Sequence, residues 1–349
     1  MSKRLKVGVI GVGTIGRAHL QGYMNLTNAK VVAISDINEQ SLSTAAKKFK
    51  IRKTFTDYHD LLALKEVEAV DVCAPPFNHA EITCEAASAG KHVLCEKPMA
   101  MNAQEAEEMV KACREAGVKL GICSARRRFD PAVELAKRYI TEGKLGKVYY
   151  TRSCLYRRRG RPGIDILVNS KWFLDSSKAG GGALIDIGCY DIDVVLYLLG
   201  SPQPLAVSAM TFRGIGDHPP LDVPFDVDEH SSVFVRFEGG VTSMFETAWA
   251  SNMESGEDFI VLGTEGGLRL NPFTYYTKME GRHVAIKTDL FRGFVISRRM
   301  EILLNDFVRA CLKDMAPKTP GEDGLKVMQI ISMAYKSAEI NREVDLSML

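Results

Sequence analysis

The chain has no run of about 18 apolar residues, the length that would suggest a membrane-crossing helix. It has no excess of charge of either sign: 45 Lys+Arg face 43 Asp+Glu, a formal net charge of +2. A surface built to track nucleic acid or anionic lipid would be far more basic, so neither is expected as a partner. No Cys-x-x-Cys pair occurs among the eight cysteines at 73, 84, 95, 113, 123, 154, 189 and 311. No Cys/His run has zinc spacing either, and no metal is expected. Internal repeats and low-complexity tracts are absent. The opening Met1-Ser2-Lys3-Arg4-Leu5-Lys6 carries no apolar signal region. Reduced thiols in a cytoplasmic protein are therefore the expectation. What the chain does contain is 46% hydrophobic residues over 349 positions, enough for about two globular cores.

The pattern predicts two unlike halves. Over 1–123, short apolar runs at Lys6–Ile10, Val31–Ser35, Ala69–Ala74, His92–Glu96 and Lys119–Cys123 alternate with helical stretches. Near-continuous apolar strands separated by helices predict a doubly wound parallel sheet covered on both faces. Asp130-Pro131 has the form of a helix start, with Pro at the first helical position. Over 124–349 the strand-like segments are longer and partly alternating: Lys147–Leu155, Leu205–Phe212, Ser231–Glu238, Val241–Ala250 and Asp258–Gly263. Glu238-Gly239-Gly240 reads as a hairpin turn between two of them. This half is predicted to be α+β, with a large, open, mostly antiparallel sheet and a helical tail over 322–341.

Gly11-Val12-Gly13-Thr14-Ile15-Gly16 is G-x-G-x-x-G between a strand and a helix. Gly11 permits the tight turn, Gly13 lets the backbone approach a pyrophosphate, and Gly16 lets helix pack on strand. The N–H groups around Thr14 and Ile15 open the helix toward the phosphates. Asp36 follows the second strand, 20 residues past Gly16, where a carboxylate can accept from ribose hydroxyls. A carboxylate there favours NAD over NADP, without excluding the latter. Ligands of such sheets bind outside the carboxyl ends of the strands. That edge also receives Pro75, Asn78 and His79 after one strand, and Glu96, Lys97 and Pro98 after another. His79 either touches the cofactor or simply starts its helix.

Gly180-Gly181-Gly182 precedes a nearly all-apolar stretch ending at Gly200. Its polar residues Asp186, Tyr190, Asp193 and Tyr197 fall at i, i+4, i+7 and i+11, on one helix face, with Asp191 off the stripe. Buried carboxylates need partners, so the stripe faces a polar cleft or a bonding network. Asp193 and Tyr197 suit a structural role, and Asp186 and Tyr190 could line an active site. There are two basic clusters, Arg126–Arg128 and Arg157–Arg161, and the second suits either a phosphate, a carboxylate or sugar hydroxyls, or surface pairing or a subunit contact.

Together, Gly11-x-Gly13-x-x-Gly16, Glu96-Lys97-Pro98 and Gly180-Gly181-Gly182-Ala-Leu-Ile-Asp186-x-Gly188-x-Tyr190 resemble the Gfo/Idh/MocA oxidoreductases. The resemblance implies a Rossmann domain followed by an α/β domain whose open sheet forms dimer or tetramer interfaces. It implies Lys97 as the catalytic lysine and Asp186 as a substrate-side acid, with Tyr190 where most members carry His. Trp172-Phe173 stands where many members have Trp-Arg, so an Arg contact to the cofactor is missing or supplied elsewhere, and Trp172 is expected as a cofactor contact. The implied activity is NAD(P)-dependent oxidation of a hydroxyl on a sugar, sugar derivative or cyclitol. Alternatives on the same fold are a glycoside-processing enzyme that recycles its NAD, and a non-catalytic NAD-sensing regulator.

Overall fold

The computed structural model describes residues 3–290 and 298–349. They form two compact units. One comprises the described residues of Met1–Ala100, Gln104–Arg126 and Val295–Leu325; the other comprises Met101–Ala103, those of Arg127–Phe294, and Lys326–Leu349.

The first unit alternates strand and helix: β1 (Leu5–Ile10), α1 (Thr14–Met24), β2 (Ala29–Ser35), α2 (Glu39–Phe49), β3 (Lys53–Phe55), α3 (Tyr58–Leu62), β4 (Ala69–Val72), α4 (His79–Ser88), β5 (His92–Cys95), α5 (Ala103–Glu115) and β6 (Leu120–Ile122). The strands pair in the order β3-β2-β1-β4-β5-β6, all parallel. This is the Rossmann order, and it reverses between β1 and β4, where the crevice for a dinucleotide opens. All four residues of β4 are buried, as expected of a parallel sheet covered on both faces. The edge strand β3 was not anticipated. Its three residues are exposed or half-exposed and too few to show a period.

The second unit contains α6 (Pro131–Thr141), β7 (Val148–Tyr156), α7 (Ser176–Ala179), α8 (Cys189–Leu199), β8 (Pro204–Phe212), β9 (His230–Phe237), β10 (Thr242–Ala248), β11 (Gly256–Gly263), β12 (Gly267–Leu270), β13 (Phe273–Met279), β14 (Arg282–Lys287) and β15 (Val344–Asp345). They build a nine-stranded sheet in the order β14-β13-β12-β11-β7-β10-β9-β8-β15. Only β7 and β10 pair in parallel; every other pair is antiparallel. In β9 the buried Ser231, Val233, Val235 and Phe237 alternate with more exposed neighbours, so one face meets the core. The Glu238–Gly240 turn joins β9 to β10 as predicted.

The range 124–349 was expected to form the second half, but within it the helix α9 (Arg298–Lys313) belongs to the first unit. Its stripe Leu303, Leu304, Phe307 and Val308 is buried. Leu304 packs where a Cβ on Gly22 of α1 would clash, Phe307 packs beside Gly121, and Asn28 donates to Asn305 at 3.0 Å. The chain thus returns to cover its own first sheet, a long-range choice that local sequence does not announce. The predicted tail helix is α10 (Gly321–Ile340). Among the described residues, no helix is long and apolar enough to cross a membrane.

Candidate active site

The glycine loop has the geometry its sequence requires. Gly11 has φ +88°, and a Cβ there would lie 2.6 Å from the Cys73 carbonyl oxygen. A Cβ on Gly16 would collide with the Gly11 carbonyl. A Cβ on Gly13 would meet nothing within 4 Å, so this side of the loop is open to a ligand. Gly13 caps α1 without a side chain, and the N–H groups of Thr14, Ile15 and Gly16 have no intrahelical acceptor. Asp36 lies just past β2, where its Oδ2 accepts from Val12 N–H at 2.7 Å and its Oδ1 from Asn38 N–H at 2.8 Å. Each oxygen has a second lone pair to offer a ribose hydroxyl. An open pyrophosphate cradle beside an oriented carboxylate fits an adenine dinucleotide.

The same sheet edge carries the next group. Beyond β4, Pro75 leads into a 3₁₀ turn over Pro76–Asn78, and Asn78 N–H donates to the Pro75 carbonyl at 3.0 Å. His79 opens α4 and is buried. Its Nδ1 lies 2.7 Å from the Pro98 carbonyl and its Nε2 2.7 Å from the Ala74 carbonyl. The ring thus straps the end of β4 to the segment after β5. Burial pushes its pKa down, against the pull of those carbonyls.

Lys97 starts that segment and is half-buried. Its N–H donates to Glu96 Oε2 at 2.9 Å. Glu96, expected to face the cofactor, turns inward instead and is 3% exposed. Its Oε1 lies 3.0 Å from His19 Nε2, and His19 Nδ1 lies 2.8 Å from Asp71 Oδ2. Burial opposes charge on the His19 ring, but attraction to Asp71 and bonds to both carboxylates outweigh it and raise its pKa to about 10. Burial likewise opposes charge on Glu96, yet the hydrogen bond and charge of His19, with help from Arg126 and Lys97, bring it down to about 2. The sequence reading missed His19. Its one available signal was a histidine on the buried face of α1, three residues past Gly16.

In the second unit the triple glycine packs around Asp228. A Cβ on Gly182 would run into the Asp228 backbone, and one on Gly181 into the Tyr335 ring. Asp228 accepts from Gly182 N–H (2.7 Å), Leu184 N–H (3.0 Å), Ser231 Oγ (2.7 Å) and Tyr335 Oη (2.7 Å). It therefore anchors the start of the helix bearing Asp186. That helix begins as a π-helix over Leu184–Gly188 rather than the uniform α-helix of the sequence reading, and becomes α8 at Cys189. Single π turns inside helices recur at functional sites. Asp186 is buried in this turn, and its Oδ2 accepts from Trp249 Nε1 at 2.9 Å. Trp249 is itself fully buried, packed with Ala183, Ile187 and Val227. Tyr190 is buried in the first turn of α8.

The remaining charges of this helix are internal. Asp193 holds Arg128 through two bonds of 2.7 and 2.8 Å, and that guanidinium lies 5.1 Å from the Tyr197 ring. Asp191 pairs with Arg127, which also reaches Glu257. Of the second basic cluster, Arg161 is buried on Asp165 and Glu229. Trp172 lies in a 3₁₀ turn over Lys171–Leu174, its ring stacked on Phe173 with centroids 3.8 Å apart. Two surface clefts, about 320 and 740 Å³, open beside Gly117 and Pro317 and beside Tyr149 and Tyr276, and neither is lined by a residue of the candidate site.

The chain matches a profile described as "Oxidoreductase family, NAD-binding Rossmann fold" over residues 5–123, and the GFO/IDH/MocA C-terminal domain over 133–269. It is 28% identical to D-glucoside 3-dehydrogenase of Escherichia coli, over 99% of this chain and 98% of that one. It is 31% identical to levoglucosan dehydrogenase of Pseudarthrobacter phenanthrenivorans, over 84% and 79% respectively. A solved levoglucosan dehydrogenase in complex with NADH and levoglucosan superposes with a TM-score of 0.86 at 27% identity, covering 99% of this chain and all of that one.

Proposed function

The chain belongs to the Gfo/Idh/MocA family of NAD-binding oxidoreductases, and from that premise we propose how its residues divide the oxidation of a ring hydroxyl on a sugar, glycoside or cyclitol. It is an NAD(P)-dependent oxidoreductase of CH–OH groups, with NAD as its cofactor. The observation that carries the residue assignment is the fixing of Lys97. Its backbone is tied to Glu96 at the carboxyl end of β5, on the same edge as the glycine loop.

The glycine loop and Asp36, with Pro75, Asn78 and Trp172 as further contacts, would hold NAD⁺, which would supply the hydride acceptor. The Lys97 ammonium serves the substrate oxygen, where negative charge builds as the proton leaves. Tyr190 takes that proton. A phenol is a weak base near its ordinary pKa of about 10, and a lysine cation at the same oxygen favours its ionised form. Asp186, oriented by Trp249, positions a second substrate hydroxyl or the ammonium. His79 and Glu96 contribute by holding the segment around Lys97.

A second copy of the chain is the proposed partner of the nine-stranded sheet, as homodimer or homotetramer. The face carrying Met210 and Phe212 of β8, both about half exposed, is its docking side. The cytoplasm, which keeps eight unbridged thiols reduced, is the proposed compartment.

The test is absorbance at 340 nm with NAD⁺ and a panel of glycosides, anhydro sugars, aldoses and inositols. Substrate-dependent NADH formation by at least one ring polyol, weakened in Tyr190→Phe, is expected. Glycoside cleavage without net NADH would shift the reading to an oxidation–elimination enzyme. Tight NAD binding with no turnover on any of these would point to a sensor.

A further inference from the structure

We propose that His19 is a positioning residue of the reaction: through Glu96 it sets the backbone of Lys97, and so links the helix that opens at the pyrophosphate loop to the lysine. The inference rests on the reading of Lys97 above.

His19 is fully buried on α1, whose first turn is the dinucleotide end, and two carboxylates face its two ring nitrogens. A neutral imidazole donates from one nitrogen only, whereas the imidazolium donates from both. Asp71, on β4, holds the Nδ1 side. Glu96, just past β5, holds the Nε2 side with one oxygen and accepts the Lys97 N–H with the other. The carboxylate therefore cannot turn without breaking a bond at one end. His19 supplies the fixed, charged donor that keeps its other oxygen aimed at the chain where Lys97 begins. The groups His19–Asp71–Cys73 and His19–Glu96–Cys123 are also close enough to share a cation. An imidazolium with both nitrogens protonated has no lone pair for one.

A merely structural buried charge network would look similar, so the test separates the two sides of the ring. An Asn amide nitrogen falls near the Nδ1 position of the histidine it replaces, and a Gln amide nitrogen near Nε2. His19→Asn keeps the donor toward Asp71 and loses the one toward Glu96; His19→Gln does the reverse. Both lose the charge and one bond, so similar melting temperatures are expected. Turnover should part them: kcat of His19→Asn should fall about tenfold or more below that of His19→Gln, with NAD⁺ affinity little changed in both. Ångström-scale misplacement of a catalytic group costs up to about 10²-fold. Equal kcat in the two folded variants, or losses that merely follow the folded fraction, would overturn the proposal.

Should His19→Asn not fold, Glu96→Asp replaces it. That carboxylate is one methylene too short to span Lys97 N–H and His19, so kcat should fall more than in Asp71→Asn; the reverse order would overturn the proposal. Lys97→Ala, measured alongside, keeps the two failures apart. If it retains turnover, the reading of Lys97 is lost. If it loses turnover while the two His19 variants match, only the role of His19 is lost.

Discussion

The two units treat buried charge in opposite ways. In the first, one histidine and two carboxylates are gathered behind the sheet edge that carries the glycine loop, and the network ends on the backbone of Lys97. In the second, charge is divided among several arginine-centred clusters, Arg127 with Asp191 and Glu257, Arg128 with Asp193, and Arg161 with Asp165 and Glu229, whereas Asp186 accepts from a neutral indole N–H. Breaking a pair in the second unit should therefore cost stability, and disturbing the first network should cost turnover.

The largest effect expected from breaking that contrast is in Asp193→Ala. It takes the carboxylate away from the buried Arg128 guanidinium, and removing one partner of a buried pair costs about 3–5 kcal/mol. Urea unfolding should show the loss while the folded fraction keeps most of its turnover; lost turnover with stability intact would erase the distinction between the units.

Trp249→Phe comes next. It fills most of the same space but removes one bond to a carboxylate, a change of about 1.5–3 kcal/mol. If Asp186 works in the reaction, kcat/KM should fall about 10- to 100-fold. An unchanged kcat/KM would make Trp249 a packing residue only.

The glycine loop sharpens the comparison within the first unit. Gly16→Ala forces a clash with the Gly11 carbonyl, an overpacking cost of about 1–3 kcal/mol visible as a lower melting temperature. Gly13→Ala meets no protein atom, so the apo-protein should melt as before while NAD⁺ binding weakens. Unaltered NAD⁺ affinity in Gly13→Ala would mean that the pyrophosphate lies elsewhere.

The last effect is on pH. His19 has a folded-state pKa of about 10 against an ordinary 6.5, so its contribution is complete below pH 6.5 and lost as pH rises through 10. Glu96, at about 2 against 4.5, contributes fully above pH 4.5 and loses it as pH falls through 2. Stability from this network should therefore be greatest between about pH 4.5 and 6.5. His19→Gln should flatten the alkaline side of a melting-temperature profile, and an unchanged slope there would show that His19 is not the titrating group.

What could be read ahead of the structure was local. The motif spacing places Gly11 and Gly16 in one turn, where a Cβ on Gly16 would clash with the Gly11 carbonyl of the same loop, and Asp36 stands out by its distance past the glycine loop. His19 was out of reach because its partners lie 52 and 77 residues away. Trp249 stands 63 residues from Asp186, and neither neighbourhood hints at the other. Asp228 draws donors from three separate stretches of chain, so its anchoring role exists only once they are folded together. The return of α9 to the first unit was hidden for the same reason: its apolar stripe announces a buried face but not which core buries it.

The central claim is that the first unit both holds NAD and, through Lys97, serves the reacting oxygen. Its most direct test is Lys97→Ala, with NAD⁺ affinity and turnover measured on the same preparation. The account predicts affinity close to that of the unaltered protein and turnover reduced by about 10²- to 10⁴-fold. Turnover near the original level with cofactor bound would contradict it.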